Sequence, residues 1–273
     1  MSSMTLDLPA NVQYQKWEVP DAQTVLLLVH GLGGHTGRWE PLAEYFVARG
    51  VSSYALSLRG FGDTPGIKGH IDSFDIYLSD IESLVAIIRK DYPHQRILLL
   101  GESLGGLICF LMAIKNGRLF SGLICLSPAF ADTLNVDAKT FWGIIFSSVL
   151  EPAKQLSIPL TLSSCSRDEF LVKRMEADPR EHRFATSRLL VETLLAEQRA
   201  KIFKNRMMTS VLFLLGGHDT IVSTPESMKV FKSLKVSDKF IKVYPEMYHA
   251  LSIDLGRDEV FQDIFNWIWA RQA

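Results

Sequence analysis

The chain has few cysteines, and its positive and negative charges nearly cancel. Its three cysteines, Cys109, Cys125 and Cys165, lie far apart and lack the spacing of metal ligands. Cys109 and Cys125 stand within apolar runs, so we expect buried, reduced thiols. Lys and Arg number 29 against 30 Asp and Glu. Because no basic patch or acidic tail accompanies this balance, the sequence argues against a nucleic-acid partner.

Signals for export and for membrane insertion are also missing. The N-terminal segment, residues 1–20, has neither a cationic start nor an apolar stretch, so it is not a secretory signal. No apolar run approaches the length that spans a bilayer. We therefore expect a cytoplasmic protein, and this pattern leaves peripheral contact with a membrane open.

Short apolar runs alternate with helical patterns along most of the chain. The predicted strands are Thr24–Val29, Val51–Leu58, Arg96–Leu100, Gly122–Leu126, Val211–Leu215 and Phe240–Tyr244. The predicted helices of this part are Pro41–Arg49, Phe74–Tyr92 and Glu259–Arg271. Continuous apolar strands separated by helices predict an α/β protein, with a mostly parallel central sheet covered by helices on both faces.

The alternation is interrupted between about residues 130 and 206. Apart from a doubtful strand at Leu160–Leu162, this stretch contains helical patterns, at Ala138–Leu150, Glu169–Ala177 and Thr186–Asn205. A helical insertion after one strand, with the sheet resuming later, is typical of a lid on an α/β scaffold. We predict a core formed by residues 1–129 and 207–273 and a helical cap formed by residues 130–206.

The motif Gly101-Glu102-Ser103-Leu104-Gly105 lies between a predicted strand and a predicted helix. A Gly-x-Ser-x-Gly sequence in this position is typical of a nucleophile elbow, a sharp turn that projects the serine above the sheet. The helix that follows directs its backbone N–H groups and the positive end of its dipole toward the reacting oxygen. The alternative is a glycine-rich turn with an idle serine. We predict Ser103 as a catalytic nucleophile.

A serine needs a base, and the base needs a carboxylate that fixes its tautomer. Asp219 directly follows the strand Val211–Leu215, within Gly216-Gly217-His218-Asp219, and His249 follows the strand Phe240–Tyr244. The order Ser, acid, His and the position of both loops after strands match a hydrolase triad. Each loop also has an alternative interpretation: the one with Asp219 is compatible with an ordinary turn, and the one with His249 with the start of a helix.

Other histidines compete for the role of base. We expect His94 and His182 to be exposed polar residues, and His218 to point away from the site because it adjoins Asp219. We assign His30 a different task, which is to order its own loop by hydrogen bonding.

Two backbone N–H donors are needed to hold the oxyanion that forms during acyl transfer. We predict that one comes from Leu104, the residue after the nucleophile. The second comes from Leu32 in the loop His30-Gly31-Leu32-Gly33-Gly34, whose glycines allow close approach. A phosphate-binding loop is the alternative, but neither of its usual motifs is present.

With these residues assembled, the chain resembles the monoacylglycerol lipase and lysophospholipase group of the α/β-hydrolase superfamily over nearly its whole length. The shared motifs are His30-Gly31-Leu32-Gly33, Arg38-Trp39, Arg59-Gly60-Phe61-Gly62, Gly101–Gly106, Gly217-His218-Asp219, Ile221-Val222 and His249. Two positions depart from that pattern: Ser57 replaces a usual Asp, and Glu102 replaces the His found in many relatives. Neither departure removes a catalytic group.

The expected activity is hydrolysis of a carboxylic ester, with Ser103, Asp219 and His249 as triad, no metal and no organic cofactor. The expected partner is a small-molecule acyl ester. Within the cap, Phe141–Phe146 with Val149-Leu150 is apolar around most of a helix. The resemblance implies that this helix covers an acyl-chain pocket and touches a lipid interface, whereas a helix packed on the core is an equal alternative.

Two other functions remain open at this stage. A peptidase of the same fold needs acidic cap residues to bind a substrate amine; Glu169, Glu176 and Asp178 are present, but they are interspersed with basic residues and are typical of a solvated face. A hydrolase-fold receptor with slow turnover is the second. Enzymes that use Asp as nucleophile are disfavoured because Ser103 stands there.

Overall fold

The computed structural model describes residues 3–5, 13–133, 137–159 and 161–271. Eight strands form one sheet in the order β1-β2-β4-β3-β5-β6-β9-β10. These strands are β1 Ser3–Thr5, β2 Gln13–Trp17, β3 Thr24–Val29, β4 Ser52–Leu56, β5 Arg96–Glu102, β6 Gly122–Leu126, β9 Val211–Gly216 and β10 Lys239–Tyr244. The six strands from β4 to β10 in this order run parallel, while β1 and β2 pair antiparallel at one edge.

Helices cover both faces of the sheet. The α-helices are α1 Glu40–Val47, α2 Asp75–Asp91, α3 Leu104–Asn116, α4 Ala138–Leu150, α5 Glu169–Ala177, α6 Ser187–Phe203, α7 Thr224–Ser233 and α8 Arg257–Trp269. Along β3, Val25 and Leu27 enter one hydrophobic cluster, while Leu26 and Leu28 enter the cluster on the opposite face. Because successive side chains point to opposite faces, a strand that is apolar at every position requires cover on both. The predicted α/β architecture is confirmed.

Between β6 and β9 the chain leaves the sheet. This stretch contains α4, α5 and α6 and a hairpin of two short antiparallel strands, β7 Gln155–Ser157 and β8 Phe184–Thr186. The bounds of α4 and α5 agree with those predicted from the helical pattern. Asp137 and Asp168 each accept a backbone N–H at the start of these helices. The division into a core and a cap at residues 130 and 206 stays a prediction.

Some elements escaped the sequence analysis. Strand β2 alternates too weakly in hydrophobicity to be recognised, and α7 is short and mostly polar on its outer face. The doubtful strand at Leu160–Leu162 falls partly outside the described residues, because residue 160 is not among them. Leu162 does not belong to a strand, since it begins a 3-10 turn that ends at Ser164. All three cysteines are buried free thiols, as predicted for Cys109 and Cys125.

No helix in the described ranges combines the length and the apolar character needed to cross a membrane.

Candidate active site

The nucleophile candidate stands at a strained turn between strand and helix. Ser103 follows the last residue of β5 and precedes the first residue of α3, and its φ of 59° and ψ of −122° are rare for a residue with a side chain. A Cβ on Gly105 would lie 2.1 Å from the carbonyl oxygen of Val29. Only glycine therefore fits where α3 passes this close to β3. These features match the nucleophile elbow that the motif predicted.

Asp219 and His249 are joined directly. Asp219 Oδ2 lies 2.8 Å from His249 Nδ1, and the side chains of both residues are buried. Asp219 Oδ1 accepts the backbone N–H groups of Ile221 and Val222 at 2.9 and 3.0 Å. The carboxylate is thus fixed in orientation, and it holds the imidazole proton on Nδ1. Nε2 is left as the nitrogen available to a hydroxyl, and His249 lines the same pocket as Ser103.

The loop after β3 packs directly on the nucleophile. A Cβ on Gly31 would lie 2.9 Å from Ser103 Cβ, so this position too requires glycine. Leu32 and Gly33 line the pocket beside Ser103, and Leu104 opens α3. The positions of Leu32 and Leu104 are compatible with the two predicted oxyanion donors. Their assignment stays a prediction.

His30 orders this loop, as expected from the sequence. Its Nε2 accepts the backbone N–H of Leu58 at 3.0 Å, and its Nδ1 donates to the carbonyl oxygen of Gly31 at 2.7 Å. Complete burial lowers the pKa of His30 to about 3. The ring is therefore neutral at physiological pH and joins the loops that follow β3 and β4.

A buried ion pair, which the sequence analysis did not assign, forms part of the pocket wall. Arg38 Nε donates to Glu181 Oε1 at 2.7 Å, and Arg38 Nη2 donates to the second carboxylate oxygen. Both side chains are largely buried, and both residues line the pocket with Ser103. Because Arg38 follows β3 whereas Glu181 lies between α5 and β8, this pair fastens the inserted segment to the segment that follows β3.

The expectation that His182 is exposed is wrong. His182 is partly buried, it lines the pocket of Ser103, and its Nε2 lies 3.3 Å from the carbonyl oxygen of Gly62. No local sequence pattern around His182 indicated that the inserted segment folds back over the core. The other two rivals lie as predicted: His94 is exposed, and His218 is exposed with Nδ1 2.7 Å from the carbonyl oxygen of Pro245.

Two cavities lie next to each other at Ser103 and in the inserted segment. The pocket that contains Ser103 and His249 has a volume of about 50 Å³. A second cavity of about 700 Å³ lies between α4, α6 and the hairpin, and its lining is mainly apolar. Ile158 lines both spaces. No cluster of His, Cys, Asp or Glu side chains suited to a metal ion occurs in the parts of the chain that the structure describes.

These features together define the α/β-hydrolase fold: a mostly parallel sheet, a strained serine after one strand, and a carboxylate–histidine pair whose members follow two other strands. The crystal structure of a monoacylglycerol lipase from Paleococcus ferrophilus confirms this fold for the chain. That structure matches with a TM-score of 0.88 at 28% identity, covering 96% of this chain and 99% of the lipase. The chain belongs to the Hydrolase_4 family, described as serine aminopeptidase, S33, whose model matches residues 20–256.

Two relatives show which members of this family the chain is similar to. Human monoglyceride lipase is 28% identical over 280 residues, which cover 98% of this chain and 92% of that protein. The monoacylglycerol lipase of Mycolicibacterium smegmatis is 26% identical, over 94% of this chain and 92% of the lipase. These similarities confirm that the chain belongs with the monoacylglycerol lipase-like group, as its motifs indicated.

Proposed function

We propose that the protein is a serine ester hydrolase that cleaves monoacylglycerol-like lipids. The observation that carries the proposal is the buried Asp219–His249 pair, whose histidine lines one pocket with the strained Ser103. Ile158 lines both this pocket and a large apolar cavity. The pair supplies the base that a serine nucleophile requires. The cavity supplies apolar walls that suit a fatty acyl chain. Relatives named as monoglyceride lipases support the same substrate class.

In the proposed reaction, Ser103 Oγ attacks the ester carbonyl carbon while His249 Nε2 takes the hydroxyl proton. Asp219 keeps the imidazole in the required tautomer and stabilises its cationic form. The oxyanion accepts hydrogen bonds from the N–H groups of Leu32 and Leu104. His249 then gives its proton to the departing glycerol oxygen, which leaves an acyl ester on Ser103. Water activated by His249 attacks that ester and releases the fatty acid.

The peptidase alternative is not favoured, even though the family is described by an aminopeptidase name. An aminopeptidase needs a carboxylate that is free to bind the substrate ammonium. Glu102 and Glu181 line the pocket of Ser103, but Glu102 accepts two hydrogen bonds from Ser252 and Glu181 is paired with Arg38. Both acids are therefore already engaged. The receptor alternative predicts the same geometry and differs only in turnover.

Contact with a lipid surface is a further part of the proposal. On α4, Trp142 and Phe146 are 57% and 64% exposed, and Val149 and Leu150 are more exposed still. This arrangement is compatible with the first of the two packings considered from the sequence, because one side of the helix lines the large cavity and the other faces outward. An exposed apolar patch beside a cavity mouth suits the surface of a micelle or membrane. A cytoplasmic location stays a prediction.

Hydrolysis of monoolein, measured as the release of oleic acid, tests the proposal. Amino-acid p-nitroanilides are assayed in parallel as peptidase substrates. We expect monoolein turnover that Ser103→Ala abolishes, and little anilide cleavage. Fast anilide cleavage with weak ester cleavage would instead favour the peptidase. Stoichiometric ligand binding without turnover would favour the receptor.

For the lipid surface, Trp142→Ser with Phe146→Ser should weaken sedimentation with phosphatidylcholine vesicles and leave hydrolysis of a water-soluble short-chain ester unchanged.

A further inference from the structure

The large cavity is formed by two antiparallel helices and a hairpin. The carbonyl oxygen of Lys154, just after α4, accepts the N–H of Ser187 at the start of α6 at 3.0 Å. The C-terminal end of α4 therefore meets the N-terminal end of α6. Glu197 lies about ten residues along α6 from this meeting point, on the order of 15 Å at the rise of an α-helix. It consequently lies toward the end of the cavity that is remote from the hairpin.

Glu197 is an unusual member of the cavity wall. It lies on the same face of α6 as Leu190 and Leu194, which also line the cavity, at the spacing of successive helical turns. Its side chain is buried, with the residue only 9% exposed. Its carboxylate forms no hydrogen bond or ion pair with another residue of the described ranges 13–133, 137–159 and 161–271. Buried acids normally have such a partner.

A second polar atom in the same wall is also unpartnered. The hydroxyl of Ser147, on α4, is buried and has no hydrogen-bond partner among the described residues. Ser147 contributes to the lining opposite α6. A cavity meant only for methylene groups would gain nothing from Glu197, since its carboxylate loses hydration when an apolar chain enters.

The charges around Glu197 favour a neutral polar ligand over a cationic one. The negative charge of Asp132 raises the pKa of Glu197, and the positive charge of Lys201 lowers it. Lys154 also lines the cavity. Asp132, Glu197 and Lys154 line this space and Lys201 acts on Glu197 electrostatically, so two acidic charges are matched by two basic ones and no net negative charge remains to attract an ammonium group. A hydroxyl both donates and accepts, so it is satisfied by Glu197 in either protonation state.

We propose that the cap cavity binds an acyl chain that carries a hydroxyl group, and that Glu197 is the side chain that recognises this hydroxyl. The proposal rests on ester hydrolysis at Ser103 and names the acyl group of its substrate. Glu197 is a specificity-determining residue here, because the hydroxyl it binds is remote from the ester carbonyl. An unsubstituted chain leaves the buried carboxyl without a partner, whereas a hydroxylated chain provides one.

Monoricinolein and monoolein are the test substrates, because they differ only by a mid-chain hydroxyl. A glycerol ester of an ω-hydroxy fatty acid, compared with its unsubstituted counterpart, covers a site nearer the chain end. We expect kcat/KM to be about tenfold higher for at least one hydroxylated ester than for its counterpart. In Glu197→Leu this ratio should fall to one or below, and activity on monoolein should rise.

Two further variants separate recognition from loss of folding. Glu197→Gln keeps a donor and an acceptor, so it should retain most of the preference. Glu169→Gln removes an exposed acid of α5 that lies outside the cavity lining, and it should leave the ratio unchanged. Equal kcat/KM for both members of each pair in the unaltered enzyme would overturn the proposal, as would a preference that survives Glu197→Leu.

Failure of the underlying function gives a different result. If no glycerol ester is hydrolysed in a Ser103-dependent way, ester hydrolysis itself is wrong, and the acyl preference falls with it. If monoolein is hydrolysed but no hydroxyl preference exists, ester hydrolysis stands and the assignment of Glu197 is wrong.

Discussion

Glu102 and Ser252 tie the nucleophile to the loop that carries His249. Glu102 Oε1 accepts the backbone N–H of Ser252 at 2.9 Å, and Oε2 accepts its hydroxyl at 2.8 Å. Glu102 immediately precedes Ser103, and Ser252 lies three residues after His249. Burial raises the pKa of Glu102, while the hydrogen bonds from Ser252 act in the opposite direction. The departure from the usual His at this position thus has a structural role.

We expect Glu102→Ala to reduce kcat for monoolein by about ten- to a hundredfold with little change in KM. The substitution leaves the buried N–H of Ser252 unpaired and frees the His249 loop, and small displacements of catalytic groups are costly. Glu102→Gln keeps one acceptor for that N–H and should lose less than Glu102→Ala. Ser252→Ala, which removes only the hydroxyl contact, is the matched control. Unchanged kcat in Glu102→Ala would refute the positioning role.

Asp219→Asn should lower kcat by about 10⁴-fold, because an amide that donates toward Nδ1 stabilises the wrong imidazole tautomer. The hydrogen bonds from Ile221 and Val222 to Oδ1 are compatible with the amide oxygen, so the fold should persist. Steady-state kinetics with a p-nitrophenyl ester, together with circular dichroism, measure both effects. Activity near that of the unaltered protein would exclude Asp219 from the triad.

Removing either partner of the Arg38–Glu181 pair should destabilise the protein by about 3–5 kcal/mol, since each removal leaves an uncompensated buried charge. Arg38→Met and Glu181→Leu retain much of the apolar packing. The double variant should be less destabilised than the two single variants added together, with a coupling of at least about 1 kcal/mol. A double-mutant cycle by urea unfolding gives this value, and strict additivity would contradict a functional pair.

Glu197 should make stability depend on pH. Burial, opposed by Lys201 and supported by Asp132, raises its pKa from 4.5 to about 7. The folded state then binds more protons than the unfolded state between these values, so this contribution is complete below pH 4.5 and is lost as pH rises through about 7. The corresponding free energy is on the order of 3 kcal/mol.

Thermal unfolding at pH 5 and pH 8 checks this prediction. Glu197→Gln should match the unaltered protein at pH 5 and exceed its Tm at pH 8, whereas Glu169→Gln should follow the unaltered protein at both pH values. Parallel pH dependence of the unaltered protein and Glu197→Gln would show that Glu197 ionises normally.

Much of the scaffold was predictable because its signals are local. The bounds predicted for β3, β6, α4 and α5 agree with the structure, since an apolar run or a helical repeat with capping residues lies within a few positions along the chain. Strand β2 and helix α7 were missed, because at an edge or on the surface tertiary packing compensates for a weak local pattern. The two antiparallel strands at the edge of the sheet were likewise not predicted.

The sequence by itself determined the chemistry proposed for this protein: the Gly-x-Ser-x-Gly elbow and the order of Ser103, Asp219 and His249 are readable from short segments placed after strands. Tertiary structure alone decided what surrounds that chemistry. Glu102 meets Ser252 across 150 positions of the chain, and Arg38 meets Glu181 across 143. The burial of Glu197 also arises only when α4 packs against α6. Such contacts depend on how the inserted segment folds over the core, and no local pattern records the pairing of residues so distant in sequence.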